Sequence, residues 1–285
     1  MKFISYRSVN GLGTALDLGG TYKGLDESQP CFPGIIDDLL ARGGTALADA
    51  AGILRRHGTG ISLMDVELLP PVNPSKIICI GLNYADHARE SGLPIPEKPT
   101  VFARFPSSIV GPEAPIMLPK VSGDLDYEGE LAVIIGKAGR YICPAEALDH
   151  VAGYSCFNDG SIRDYQFHGS QWTVGKNFDR SGSLGPALVT ADSLPAGAAG
   201  LAIRTRLNGQ TVQSSSIGEL IFGVAKLISL LSEAFTLLPG DVIATGTPSG
   251  VGFARTPQLW MKAGDICEVE IEAIGTLRNP VRAES

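Results

Sequence analysis

Asp126-Tyr127-Glu128-Gly129-Glu130 runs without a break into the apolar stretch Leu131-Ala132-Val133-Ile134-Ile135. A stretch with no polar residue marks a strand covered on both faces. Any fold of this chain must therefore bring carboxylates to the mouth of a buried strand. Residues two apart on a strand share a face, so Glu128 and Glu130 project together, with Asp126 one step earlier on the same side. Like charges at that spacing repel, and each must take up a proton or meet a cation. A hard divalent cation answers this, because Mg²⁺ and Ca²⁺ take oxygen ligands. The other reading is a polar strand end in water, as for Glu268, Glu270 and Glu272, which alternate with Cys267, Val269 and Ile271. Val151–Phe157 reads as a further strand ending at Asn158-Asp159, which makes Asp159 a third candidate carboxylate. An anionic substrate beside such a group needs cations, and Arg163 and Lys176 are the candidates. Lys176 stands between apolar neighbours in Thr173-Val174-Gly175-Lys176-Asn177-Phe178.

Composition narrows the class. The chain of 285 residues is 44% hydrophobic and 19% charged, a globular balance. Its 35 Gly and 19 Pro point to many turns between strands. With 23 Lys+Arg against 30 Asp+Glu and no basic run, nucleic acid is excluded as a partner. Five scattered cysteines (Cys31, Cys79, Cys143, Cys156, Cys267) without a Cys-x-x-Cys pair exclude a disulfide scaffold or zinc knuckle and read as small buried hydrophobes. The opening Met1–Arg7 is broken by charge too early for a secretory segment. The longest apolar stretch, Ile217–Leu238, contains Glu219, Lys226 and Glu233 and reads as a soluble helix, not a membrane span. A cytoplasmic protein is expected.

Three prolines within Pro70-Pro71-Val72-Asn73-Pro74 form a stiff connector. It divides the chain into a small N-terminal accessory domain, 1–69, and a catalytic domain, 70–285. The first is expected to be helical over Ile35–Leu54 and carries no catalytic cluster. Beyond the connector, Lys76–Leu82 reads as a buried strand and Asp265–Ile274 as a half-buried one. Ser216 with Glu219 forms a capping box, and Leu220, Ile221, Val224, Leu227, Ile228 and Leu231 recur at helical spacing, predicting a helix that stops at Pro239-Gly240. The fold class expected is α+β, mostly β.

Five motifs in one order resemble the fumarylacetoacetate hydrolase family over nearly everything from about Pro70 onward. They are Ile80-Gly81-Leu82-Asn83-Tyr84-Ala85-Asp86-His87; the Asp126–Gly136 segment; Asn158-Asp159-Gly160-Ser161-Ile162-Arg163-Asp164-Tyr165-Gln166; Gly175-Lys176-Asn177-Phe178-Asp179; and Thr245-Gly246-Thr247-Pro248-Ser249-Gly250-Val251-Gly252. The resemblance implies a mixed β-sheet roll or barrel-like catalytic domain, usually a homodimer, and Mg²⁺ (or Mn²⁺ or Ca²⁺) held by Glu128, Glu130 and Asp159, with Asp126 outside the ligand set. It places Gln166 and Thr247 near the substrate's carboxylate or oxo group, with Gly246 and Gly250 letting backbone approach a ligand. Gly160, Ile162 and the Asp179-Arg180 pair depart from the commoner family pattern.

His87 and Glu90 stand three apart on one helical face, where a carboxylate orients an imidazole. Alone, this is also an ordinary surface pair; similar hydrolases use a His-x-x-Glu on a lid at this point, with Ser91–Pro99 as its loop. His87, Glu90 and Lys176 are the expected catalytic residues, and Arg163, Gln166, Thr247 and Lys176 the substrate-binding ones. Of the other histidines, His57 reads as solvated, His150 as structural, and His168 as a candidate for the substrate's distal end. A metal-bound 2-oxo acid supplies the electron sink that C–C cleavage needs. The expected activity is hydrolysis of the C3–C4 bond of a 2,4-dioxo acid (an acylpyruvate), such as a 2,4-diketo-3-deoxyrhamnonate or -fuconate, giving pyruvate and a hydroxy acid. Oxaloacetate decarboxylation, isomerisation or hydration of unsaturated 2-oxo acids, and a non-catalytic metal-dependent binding protein are the alternatives.

Overall fold

The computed structural model describes every residue of the chain except Leu93, which falls within the expected lid loop. Strand dominates, and the sheets are mixed. The Gly129–Ile135 strand lies inside a twelve-stranded sheet, between Val151–Asn158 and Val242–Ala244, both antiparallel to it. Its unbroken apolar run follows from having a core on each face. Leu131, Val133 and Ile135 pack with Ile203, Val269, Ile271 and Leu277 of the second sheet. Ala132 and Ile134 pack on the opposite side with Phe3, Leu16, Leu39 and Leu54.

Beyond Val151–Asn158 the large sheet continues through Gly182–Thr190 to Lys2–Ser8, Gly11–Asp17, Tyr22–Asp26 and Thr59–Ile61. Beyond Val242–Ala244 it continues through the parallel Ile77–Gly81 strand to Thr100–Arg104. Lys2 and Phe3 pair with Val189 and Leu188, so the sheet passes directly from residues 1–69 into the rest of the chain. The expected boundary near Pro70 is thus crossed by both a sheet and a core.

The second sheet runs in the order Gln210–Ser216, Ala202–Leu207, Ile266–Ile271, Gly275–Ala283, Ile116–Leu118. Ile266–Ile271 alternates half-buried and buried as its Glu/apolar pattern requires. A short ladder pairs Leu125–Asp126 with Ser161–Ile162.

The N-terminal helical stretch is two helices, α1 (Ile36–Arg42) and α2 (Ala46–His57), because Gly43 and Gly44 turn the chain with positive φ. Next come α3 (Ala85–Glu90), α4 (Arg163–Gln166) and α5 (Thr173–Lys176), each less than two turns long. The helix expected from Ser216 starts later: α6 spans Val224–Ala234. Ser216 caps only a single 3₁₀ turn, through Gly218 N. The amides of Ile221 and Phe222 are taken by the backbone and side-chain oxygens of Asn83, which keeps that segment extended. At its far end, Leu237 pairs with Gly139 in an isolated bridge and leaves the helix short of Pro239. Among the described residues no helix is long and apolar enough to cross a membrane. Three of the cysteines are buried; Cys31 and Cys143 are exposed, contrary to the reading of the set as core residues.

Leu54 is fully buried in the core that joins α2 to the large sheet. Leu54→Ala is expected to cost about 2–5 kcal/mol. In urea, the variant should unfold in one transition at lower midpoint, seen alike by tryptophan fluorescence and far-ultraviolet circular dichroism. An early separate transition would show residues 1–69 unfolding alone.

Candidate active site

Strand pairing assembles the acidic centre. Gly129 opposes Asn158, which sets Glu128 and Glu130 beside Asp159. Asn158 Oδ1 accepts from Glu128 N at 3.0 Å, and Asp159 N donates to Glu128 O at 2.9 Å. One carboxylate oxygen from each of Glu128, Glu130 and Asp159 then lies within 4.8 Å of the others, all three buried. Asp126 points away from this group. Its oxygens accept from Gly252 N (2.7 Å), Phe253 N (3.0 Å) and Arg163 Nε (2.8 Å).

Three buried cations face these four acids. Lys176, at the end of α5, donates to Glu128 Oε2 at 2.8 Å and Asp159 Oδ2 at 2.6 Å. Arg163, at the start of α4, pairs Asp126 with Glu128, its Nη2 lying 2.6 Å from Glu128 Oε1. Arg104 donates to Asp159 Oδ1 at 2.7 Å and to Gly160 O and Ser181 Oγ. Arg104 escaped the sequence reading. The available signal was period two: Phe102 and Arg104 share the inward face of Thr100–Arg104.

The electrostatics separate the two glutamates. Burial opposes ionisation of Glu128, but Lys176 and Arg163 outweigh it and bring its pKa down to about 2. Burial and then the neighbouring Asp159 and Glu128 push Glu130 well above the usual carboxylate range. Its hydrogen bond is from Gly246 N at 2.9 Å, and no ion pair joins it to a cation among the described residues. This all-oxygen set, with one acid lacking a counter-charge, fits a hard divalent cation held by Glu128, Glu130 and Asp159.

Above the triad lies a cavity of about 210 Å³. Its polar wall includes Glu128, Glu130, Lys176, Gln166 and Thr247; Phe102, Trp172, Phe167 and Phe253 form an aromatic rim. Lys176 spends two of its three N–H groups on Glu128 and Asp159, which leaves one for a ligand. Arg163 lines the cavity; its Nε and Nη1 donate to Asp126 and Gln166, while Nη2 has an ion pair with Glu128 but no hydrogen bond. Because Gln166 Oε1 accepts from Arg163 Nη1 at 2.8 Å, its amide hydrogens are the part left to a ligand. The Thr247 hydroxyl donates to Gly129 O at 3.0 Å and accepts from Gln213 Nε2 at 2.8 Å. Gln213, from the second sheet, also accepts from Gly129 N and was not singled out in the sequence.

His87 lines the same cavity. Its Nδ1 lies 2.9 Å from Glu90 Oε1, the i,i+3 pairing expected of α3. Gly246 and Gly250 bring their amides to Glu130 and Glu90, where approach to a ligand was expected. His168 is exposed, stacked against Tyr165, and does not line the cavity. His57 is exposed, and His150 Nδ1 lies 2.9 Å from Lys137 O, a structural role.

A family model described as fumarylacetoacetate (FAA) hydrolase C-terminal matches residues 76–282. The Xenopus laevis protein named oxaloacetate tautomerase fahd2, mitochondrial, is 42% identical over 288 residues, covering 99% of this chain and 90% of that protein. Human oxaloacetate tautomerase FAHD2A, mitochondrial, is 40% identical over 288 residues, covering 99% of this chain and 91% of that protein. Among solved structures, fumarylacetoacetate hydrolase from psychrophilic Exiguobacterium antarcticum superposes with a TM-score of 0.85 at 34% identity, over 100% of both chains. A 5-carboxymethyl-2-hydroxymuconate delta-isomerase from Mycobacterium smegmatis does so with 0.79 at 34%, again over 100% of both.

Two thermal-melting outcomes are expected from the unpaired Glu130. Saturating Mg²⁺ or Mn²⁺ raises Tm, by about 2.7 kcal/mol of stability at a hundredfold excess over Kd. Glu130→Gln abolishes that rise without lowering Tm in EDTA, because a neutral amide replaces an acid that burial already disfavours as an anion.

Proposed function

The chain belongs to the fumarylacetoacetate hydrolase family, and on that premise we propose that it is a tautomerase of a short 2-oxo acid of the oxaloacetate type, dependent on a divalent cation. The observation that carries this reading is the His87–Glu90 pair, whose imidazole lines the same small cavity as Glu128 and Glu130. At about 210 Å³ the cavity falls below the range usual for drug-sized ligands, which suits an acid of a few carbons.

Tautomerisation moves one proton between the C2 enol oxygen and C3, with no other bond broken. Glu90 at Nδ1 holds the imidazole tautomer that leaves Nε2 as the acceptor. His87 takes the enol proton, Glu90 stabilises the resulting imidazolium, and His87 returns the proton to C3. The remaining N–H of Lys176 and the amide of Gln166 bind the substrate's oxygens. The aromatic rim keeps water from the intermediate. A divalent cation held by Glu128, Glu130 and Asp159 supplies counter-charge for the enolate.

The names of the FAHD2 relatives and of the Mycobacterium smegmatis isomerase support proton transfer over bond cleavage. The similarity to the Exiguobacterium antarcticum hydrolase supports a second reading, C3–C4 hydrolysis of a 2,4-dioxo acid such as a diketo-deoxy sugar acid, with His87 activating water. A homodimer with a small-molecule substrate is part of the proposal, as is a cytoplasmic location, against which stand the mitochondrial names of the vertebrate relatives.

With Mg²⁺ present, the protein should speed the loss of enol-oxaloacetate absorbance in the ultraviolet. His87→Ala should reduce kcat by about 10²–10⁴-fold while the Mg²⁺-induced rise in Tm persists. Pyruvate release from acylpyruvates with no effect on enol-oxaloacetate would replace the tautomerase reading by the hydrolase. Pyruvate formed from oxaloacetate and little affected by His87→Ala would indicate decarboxylation.

A further inference from the structure

The loop after the Val242–Ala244 strand, residues 245–253, touches both halves of the site. At its start Gly246 N donates to Glu130 Oε2, and Thr247 is tied to Gly129 O and Gln213. At its end Gly252 N and Phe253 N donate to Asp126. Between these points Gly250 O accepts from Tyr127 Oη and Arg255 Nε, each at 3.1 Å. The loop is therefore fastened to the acidic centre at both ends.

Its middle reaches across to α3. Ser249 Oγ donates to Asp86 Oδ2 at 2.7 Å, and Gly250 N donates to Glu90 Oε1 and Oε2 at 3.0 and 2.9 Å. Asp86 and Glu90 bracket His87, and Asp86 Oδ1 also accepts from His87 N at 2.8 Å. A helix of six residues does not hold its own shape in water, so the place of the imidazole depends on what grips its two flanking acids. Gly250 contributes only backbone, in a conformation with φ +103° where an added Cβ would lie 2.3 Å from Val212 O. Ser249 contributes the side chain. Neither Ser249 nor Asp86 lines the cavity.

We propose that Ser249 and Asp86 are positioning residues whose hydrogen bond clasps α3 to the 245–253 loop and seats His87 over the acidic triad. The proposal rests on His87 being the base of the reading above. A hydrogen bond to a half-buried carboxylate is strong enough for its loss to lower the seated fraction about tenfold. Because neither residue touches the ligand, the loss falls on kcat rather than KM.

The test compares Ser249→Ala, Ser249→Thr, Asp86→Ala and the Ser249→Ala/Asp86→Ala double variant. Three readouts are taken: enol-oxaloacetate turnover with Mg²⁺, Mg²⁺-induced change in Tm, and amide hydrogen exchange over 85–91 with Mg²⁺ and oxalate. Ser249→Ala should lower kcat about tenfold, leave KM and the Mg²⁺ response unchanged, and quicken exchange over 85–91. Ser249→Thr, which keeps the hydroxyl, should restore both. Adding Ser249→Ala to Asp86→Ala should cost nothing further, since one bond cannot be lost twice. Wild-type turnover and exchange in Ser249→Ala, or multiplying losses in the double variant, would overturn the clasp. So would loss of the Mg²⁺ response along with activity, which marks general disruption of the loop. A wild-type protein inert toward enol-oxaloacetate would count against the proposed function alone, and hydrogen exchange would still decide the clasp.

Discussion

Three carboxylates and three cations, all but closed off from water, form a single bonded network at the centre of this protein, with a fourth carboxylate, Glu130, beside it. Stripping such groups of water costs several kcal/mol per ion, and their mutual attraction recovers that only when geometry is close and the remaining donors and acceptors are filled. Here they are. Arg104 takes one oxygen of Asp159 and Lys176 the other; Arg163 joins Asp126 to Glu128. Glu130 stands outside the pairing, held by a single backbone amide. The imbalance is local, and it marks where the residues present fit positive charge from outside the chain.

The rest of the fold keeps that network rigid. Gly129–Ile135 has a core on either side, so its register cannot slip without turning its apolar residues the wrong way. Gln213 crosses from the second sheet to bond the Gly129 amide and the Thr247 hydroxyl, linking the acidic strand to the loop that reaches α3. The N-terminal residues contribute no side chain to the cavity, yet Phe3, Leu16, Leu39 and Leu54 pack beneath Ala132 and Ile134 of the acidic strand. Their part is to hold the strand that carries Glu130.

Chemistry in such a site is divided between a floor and a roof. In the function proposed above, the floor binds oxygens and absorbs charge, as an enolate requires whether it arises by proton transfer or by C–C cleavage. In that proposal the roof, α3 with His87, decides what happens at carbon or at water. Proteins similar to this chain carry hydrolase, isomerase and tautomerase names, and an enolate is common to all three reaction types.

Much of this was legible in the chain itself. Period-two spacing put Glu128 and Glu130 on one face, the apolar runs announced the central strands, and the three-residue step from His87 to Glu90 announced their contact, because each depends only on local backbone geometry. Where local patterns failed, a distant partner had prevailed: Asn83 holds Ile221 and Phe222 out of the helix that Ser216 and Glu219 seemed to begin. Arg163, expected to meet the substrate, lines the cavity and is also bonded to Asp126, Glu128 and Gln166, partners no local pattern announced. Arg104 and Gln213 carry no motif, and the partners that tie them to the site, Asp159 and Thr247, lie 55 and 34 residues away in sequence. The sequence by itself determined which acids gather and which strands bear them. Only the tertiary structure decided how each charge is compensated, because burial and pairing between remote segments come into being when the sheets close.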